Sequence, residues 1–154
     1  LLERGAKVNA RDSVKRTPRM MMDYSAEPEL LELLLRYGAK TNLLDKEKNT
    51  ILMHFAEYDD YEIVQILVRY GVPVNAINKE GKTALMIAAE NSSDENVKAL
   101  LEAGAKVHLS TKEGDTAWSV ASNAEVRAML ENYGAGPSRN LNAETGKIVG
   151  GKVN

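Results

Sequence analysis

Glycine closes an apolar-apolar-x-x-Gly ending at Gly5, Gly38, Gly71 and Gly104, and every interval is 33 residues. A second, unrelated marker keeps the same interval: Thr17, Thr50, Thr83 and Thr116 each follow a charged stretch. Two residue types holding one period through three intervals mark an internal repeat, and that restricts the fold more than composition does. A unit of this length is a single supersecondary element that cannot bury its own apolar face, so successive units stack and share a core. The clearest copy is residues 78–110, NKEGKTALMIAAENSSDENVKALLEAGAKVHLS.

Laid against that copy, the chain divides into the end of a preceding unit (1–11), three full units (12–44, 45–77 and 78–110), a shortened unit (111–136) and a polar, glycine-rich tail (137–154). Because Leu1-Leu2-Glu3-Arg4-Gly5 aligns with Leu34-Leu35-Arg36-Tyr37-Gly38, the chain opens inside a helix, and further repeats or domains are expected upstream. In the first full unit Thr17-Pro18 opens a helix, the Thr oxygen capping it and Pro filling the position where a missing N–H costs nothing. A second helix over Pro28 to Tyr37 carries Leu30, Leu31, Leu33, Leu34 and Leu35 as an apolar stripe, and Gly38 ends it. The second unit repeats this with a helix after Thr50 and then Ile63, Val64, Ile66, Leu67 and Val68 before Gly71. In the last unit Gly134 comes three residues early, a loss assigned to the turn between its helices, and Trp118 in a core-leucine position is expected to seal the stack. The tail reads as a vestigial finger or an extended cap, with disorder as the alternative.

These residues resemble the ankyrin-repeat family, whose unit has the form D-x-x-G-x-T-P-L-H-x-A-A followed by a helix ending x-L-L-x-x-G-A-x-V-N. The third unit carries the resemblance through Asn78, Gly81, Thr83, Leu85, Ala88, Ala89, Leu100, Leu101, Gly104, Ala105 and Val107, and the Val-Asn exit recurs as Val8-Asn9 and Val74-Asn75. It extends over about residues 1–136 and implies an all-α solenoid of stacked helix pairs with short β-turn fingers. The family's first-helix His is replaced by Met20, Met53, Met86 and Ser119, while Arg19 and Asp23 stand where Leu and Ala are usual.

Composition excludes several function classes. A formal charge of −2 and a pI near 5.8 give no electrostatic footprint for nucleic acid. The absence of cysteine removes disulfides and thiolate metal sites. No run approaches the roughly 18 apolar residues of a membrane span. Gly81-Lys82-Thr83 has the ending of a phosphate-binding loop, but that motif needs glycine at position 76, which is Ala76, and a buried strand before it. His54 with Glu57 three residues on shares a helix face, yet no third ligand follows at helical spacing; His54 and His108 read as packing or loop residues. Asn91-Ser92-Ser93 is a formal glycosylation sequon that reads as an inter-helix turn. Met20 and its equivalents point into the core, and Tyr37, Tyr70 and Tyr133 read as helix-end packing. No cofactor, metal or catalytic residue is assigned.

The resemblance implies binding through the fingertips and the exposed ends of the first helices. On this chain that face comprises Lys46, Glu47, Lys79, Glu80, Lys112 and Glu113 at the fingertips, with Arg16, Asn49, Lys82 and Asp115 beside them. Its helix-end columns hold Tyr24, Glu57, Glu90 and Asn123, then Tyr58 and Asn91, with Asp59, Asp60 and Tyr61 adjacent. Recurrence of each Lys-Glu pair at the repeat interval predicts like charges stacked along the fingers. An acidic centre with tyrosines predicts a protein partner offering basic and aromatic groups. The expectation is a monomeric, non-enzymatic protein-binding scaffold that meets neither nucleic acid nor membrane. The competing expectation makes this segment the regulatory or targeting module of a larger enzyme or secreted effector.

Overall fold

The computed structural model describes residues 7–16, 28–58 and 60–136. Seven helices run through them: α1 (Pro28–Arg36), α2 (Ile51–Ala56), α3 (Tyr61–Arg69), α4 (Ala84–Glu90), α5 (Asp94–Glu102), α6 (Ala117–Val120) and α7 (Ala124–Asn132). The expected first helix after Thr17, the Met20–Met22 run and the tail lie outside the described residues.

The repeated threonine starts each first helix among the described residues. The hydroxyl oxygens of Thr50 and Thr83 accept the N–H of Met53 and Met86 at 3.2 Å, and that of Thr116 accepts the N–H of Ser119 at 3.3 Å. Such a cap satisfies one of the orphan donors at a helix start and is worth about 1 kcal/mol. The methionines in the family's histidine position are core residues, Met53 and Met86 being almost fully buried.

Two rows of helices result. First helices pack in the order α2, α4, α6, and second helices in the order α1, α3, α5, α7, with α2 against α3, α4 against α5 and α6 against α7 closing each pair. The shared core includes Leu31, Leu52, Ile63, Leu67, Leu85, Val97, Leu100, Val126 and Leu130. Each large side chain fully buried there contributes roughly 1.5–3 kcal/mol, more than any single cap.

The apolar stripe of α1 is only half used. Leu30 and Leu33 remain 46% and 41% exposed, although their counterparts Ile63 and Ile66 in α3 are buried. Helix α3 has second helices on both sides, α1 and α5, whereas the main described helix neighbour of α1 is α3. Tyr37, Tyr70 and Tyr133 do not pack as expected either: they are 44%, 39% and 51% exposed at the helix ends. Trp118 is half-buried against the core, its indole N–H donating to Glu131 at 2.9 Å and Arg127 lying 5.7 Å above the ring.

The shortening of the last unit also differs from expectation. The turns before α5 and α7 both hold three residues, 91–93 and 121–123, but α6 has four residues where α4 has seven. The deletion therefore removes the end of the first helix and leaves the turn intact. A turn already at minimal length cannot lose three residues and still reverse the chain, whereas a helix can stop one turn sooner.

Each finger is closed by the residue in its Asp position. Asp45 Oδ1 accepts the N–H of Glu47 and of Asn49, both at 2.8 Å, and Asn78 Oδ1 accepts those of Glu80 and Lys82 at 3.0 and 2.9 Å. The fourth finger position is left-handed in every copy, with φ of 64° at Lys15, 62° at Lys48, 79° at Gly81 and 90° at Gly114. A Cβ on Gly81 would also lie 3.2 Å from the Thr111 backbone of the next finger, while one on Gly114 would meet nothing within 4 Å. Gly114→Ala should thus show only the left-handed penalty, about 1–2 kcal/mol. Gly81→Ala should lower the urea midpoint further, and equal losses in the two variants would refute the contact.

Candidate functional site

The expected face takes in the finger bases, the outer side of the first helices and the ends of those helices. Lys82 ties its parts together. Its Nζ runs along α4 to meet Glu90 Oε2 at 2.7 Å, with Glu80 Oε2 at 3.9 Å. The hydrogen bond to Glu90 is the main cause of a raised Lys82 pKa, burial opposes it, and the charges of Glu90, Glu80 and Asp115 add to it. One repeat earlier the finger-to-helix link is different: His54 Nε2 lies 3.1 Å from Asp45 Oδ2, so this histidine is a half-buried strut between finger and α2.

Adjacent fingers are joined by backbone rungs, Lys46 N–H to Val14 O at 3.0 Å and Lys79 N–H to Glu47 O at 2.9 Å. A side-chain rung adds to them, the Asn78 amide donating to Asn49 Oδ1 at 3.0 Å. The expected like-charge ladder is relieved between the second and third fingers, because Lys79 Nζ reaches diagonally to Glu47 Oε2 at 3.5 Å. In the first finger Arg16 Nε pairs with Asp12 Oδ2 at 2.9 Å. Burial acts to raise the Asp12 pKa, but hydrogen bonds from Arg16 and Val14 outweigh it and hold the carboxyl below its ordinary value.

The expected site residues therefore fall into groups. Arg16, Glu47, Asn49, Lys79, Lys82 and Glu90 have partners within the array. Lys46, Lys112, Glu113 and Asp115 are exposed fingertip residues with no ion pair among the described residues. Asn91 is exposed, with its amide donating to Ile87 O at 2.9 Å. Asn123 is not a helix-end residue: the shortened α6 shifts it to the N-cap of α7, where Oδ1 accepts the Val126 N–H at 2.7 Å and Nδ2 donates to Asp94 at 3.1 Å. Tyr24 and Asp59 lie outside the described residues.

Glu57 and Tyr58 do come together, in a groove lined by Phe55, Glu57, Tyr58, Asp60, Asn91, Ser92 and Ser93. It lies between the end of α2 and the turn joining α4 to α5. Asp60 Oδ1 caps α3 by accepting the Ile63 N–H at 3.3 Å, and Ser92 turns the chain with φ of 58°. Neither Glu57 nor Asp60 has an ion-pair partner among the described residues.

Asn96, which sequence reasoning passed over, fixes the groove wall from below. It is fully buried in a position held by Ile63 in the second unit and Val126 in the fourth. Its amide donates to Phe55 O at 3.3 Å and to Tyr58 O. Its Oδ1 has no hydrogen-bond partner among the described residues. A polar side chain in an otherwise apolar column is visible once the repeats are aligned.

Among the described residues no group of three His, Asp or Glu is placed to hold a metal ion, and no helix is long and apolar enough to cross a membrane. The Lys82–Glu90 pair gives a pH-dependent signature. A raised folded-state pKa contributes stability below the unfolded value, ordinarily near 10.5, and loses it as pH rises through the folded value. Glu90→Gln should cost under about 1 kcal/mol at neutral pH, as for other partly exposed pairs. That difference from the parent should shrink in urea titrations run above pH 10.5; a constant difference would contradict the pairing.

A comparison with curated proteins returns no match. A family model described as ankyrin repeats, in three copies, matches residues 20–112. That match covers more than half of the chain, and α1 to α5 fall within it. The chain belongs to the ankyrin-repeat family.

Proposed function

We propose that this chain is a non-enzymatic protein-binding scaffold whose partner seats on the fingertip and first-helix face and anchors in the groove beside Tyr58. Ankyrin repeats generally serve as protein–protein interaction modules, and the family is typically non-enzymatic. The observation that carries the reading is the contrast in charge pairing across the face. Arg16, Glu47, Lys79, Lys82 and Glu90 are paired within the array, while the groove presents Glu57 and Asp60 beside Tyr58 with no ion-pair partner among the described residues. Two unpaired carboxylates next to an aromatic surface suit a partner bearing a basic side chain with an apolar or aromatic neighbour, since Lys and Arg lay their stems on aromatic faces while the head meets the carboxylates.

Such an anchor follows the rule that a few groups in a partly desolvated pocket carry most of an interface's affinity. The surrounding fingertips Lys46, Glu80, Lys112, Glu113 and Asp115 would steer encounter more than they add affinity, which makes association sensitive to salt. The test begins with capture of a partner by the intact protein and measurement of its Kd. Glu57→Lys combined with Tyr58→Ala should weaken that Kd at least tenfold, while Glu102→Lys on the second-helix side leaves it unchanged. Circular dichroism of both variants should match the parent. Equal affinity of the groove variant and the parent would remove this face from the account.

A further inference from the structure

At two joints of the array an asparagine side chain spans from one repeat to the next. The Asn9 amide donates to Gly38 O at 2.9 Å, and its Oδ1 accepts the Lys40 N–H at 2.8 Å. Asn75 repeats the bridge with Gly104 O at 3.3 Å and the Lys106 N–H at 2.8 Å. Each bridge closes the open end of the next repeat's second helix, where carbonyls have no intrahelical partner.

Asn42 holds the intervening position, 33 residues from both. The atoms it would bridge belong to Gly71 and Pro73, and proline has no N–H to donate. Asn42 is exposed where Asn9 and Asn75 are half-buried. Among the described residues its side chain makes no hydrogen bond, and Gly71 O accepts none. An open groove lies at this spot, with Leu35, Ala39, Leu43 and Tyr70 among its walls. The finger side of the same joint is intact, through Lys46 N–H to Val14 O at 3.0 Å. At the joint to the fourth repeat the position is His108, which makes no such bridge; only at Asn42 is the bridging residue present and its partner removed.

We infer that Pro73 makes the joint between the first and second repeats a built-in hinge, pinned at the fingers and unbridged at the second-helix ends, from which α1 opens as a local unit. A bridge of two hydrogen bonds changes an opening equilibrium roughly five- to thirtyfold, using the net worth of ordinary hydrogen bonds. Its absence places α1 at the low-stability end of the array, where local opening is read directly by amide exchange.

The test is a double-mutant cycle on the full chain, with hydrogen exchange of the α1 amides as the readout. Pro73→Lys supplies the N–H found at Lys40 and Lys106, and Pro73→Ala supplies it without a charge. Either should slow α1 exchange about five- to thirtyfold when Asn42 is present. In an Asn42→Ala background that gain should vanish, leaving only the effect of losing proline on the unfolded chain, which cancels in the cycle. Asn42→Ala alone should leave exchange unchanged, whereas Asn75→Ala should speed it in α3 and α5. Equal effects of the Pro73 variants with and without Asn42, or faster exchange in Asn42→Ala alone, would overturn the hinge.

Discussion

A helix pair of this length leaves backbone carbonyls open where its helices end and apolar surface open on its flank, and in this chain the neighbouring repeat closes both. Asn96 in α5 reaches across to the carbonyls of Phe55 and Tyr58 at the end of α2. Ser122 does the same for α4, its N–H donating to Ala89 O at 3.2 Å and its hydroxyl to Glu90 O. Asn9 and Asn75 close the second-helix ends, and the finger rungs join the remaining edge. Stability in such an array is a sum of units and nearest-neighbour interfaces, so a defect at one joint acts locally. Among the described residues, the joint at Pro73 is the one where the bridging asparagine is present and its partner N–H is not.

The same bonds shape the candidate binding face. Ion pairs within and between fingers and along α4 neutralise part of its charge internally, and Asn49 is held in a rung. What remains is a small acidic groove whose wall Asn96 sets from the core side, together with the outermost fingertips. A buried amide in an apolar column is costly unless bonded, and here its two donated bonds hold the main chain at Phe55 and at Tyr58. Packing and the proposed binding groove therefore meet at one residue.

Much of this was legible in the sequence, because the features that repeat are those set by local backbone chemistry. Threonine caps, the glycines that end second helices and the Asp-position closure of each finger need only a few neighbouring atoms, so a 33-residue comparison exposes them. Features set by contact between repeats were harder to read. The count from Thr116 to Gly134 showed that three residues were missing but not from where, and the misplacement carried Asn123 from an N-cap to a helix end. Like charges at equal spacing suggested a repulsive ladder, whereas long side chains such as Lys79 reach diagonally. The tyrosines preceding Gly38, Gly71 and Gly134 looked like packing residues, but the left-handed turn that follows leaves them beside solvent. Asn42 falls at the same repeat position as Asn9 and Asn75, but the residue it would bridge at position 73 is proline.

The dependence of each repeat on its neighbour is tested most directly by hydrogen exchange in Asn96→Ala, read separately in α2 and α5. The substitution lies in the third repeat, yet the bonds it removes end the first helix of the second. Exchange should quicken at the α2 amides from His54 to Tyr58 as well as within α5. Faster exchange confined to α5, with α2 as protected as in the parent, would contradict the account.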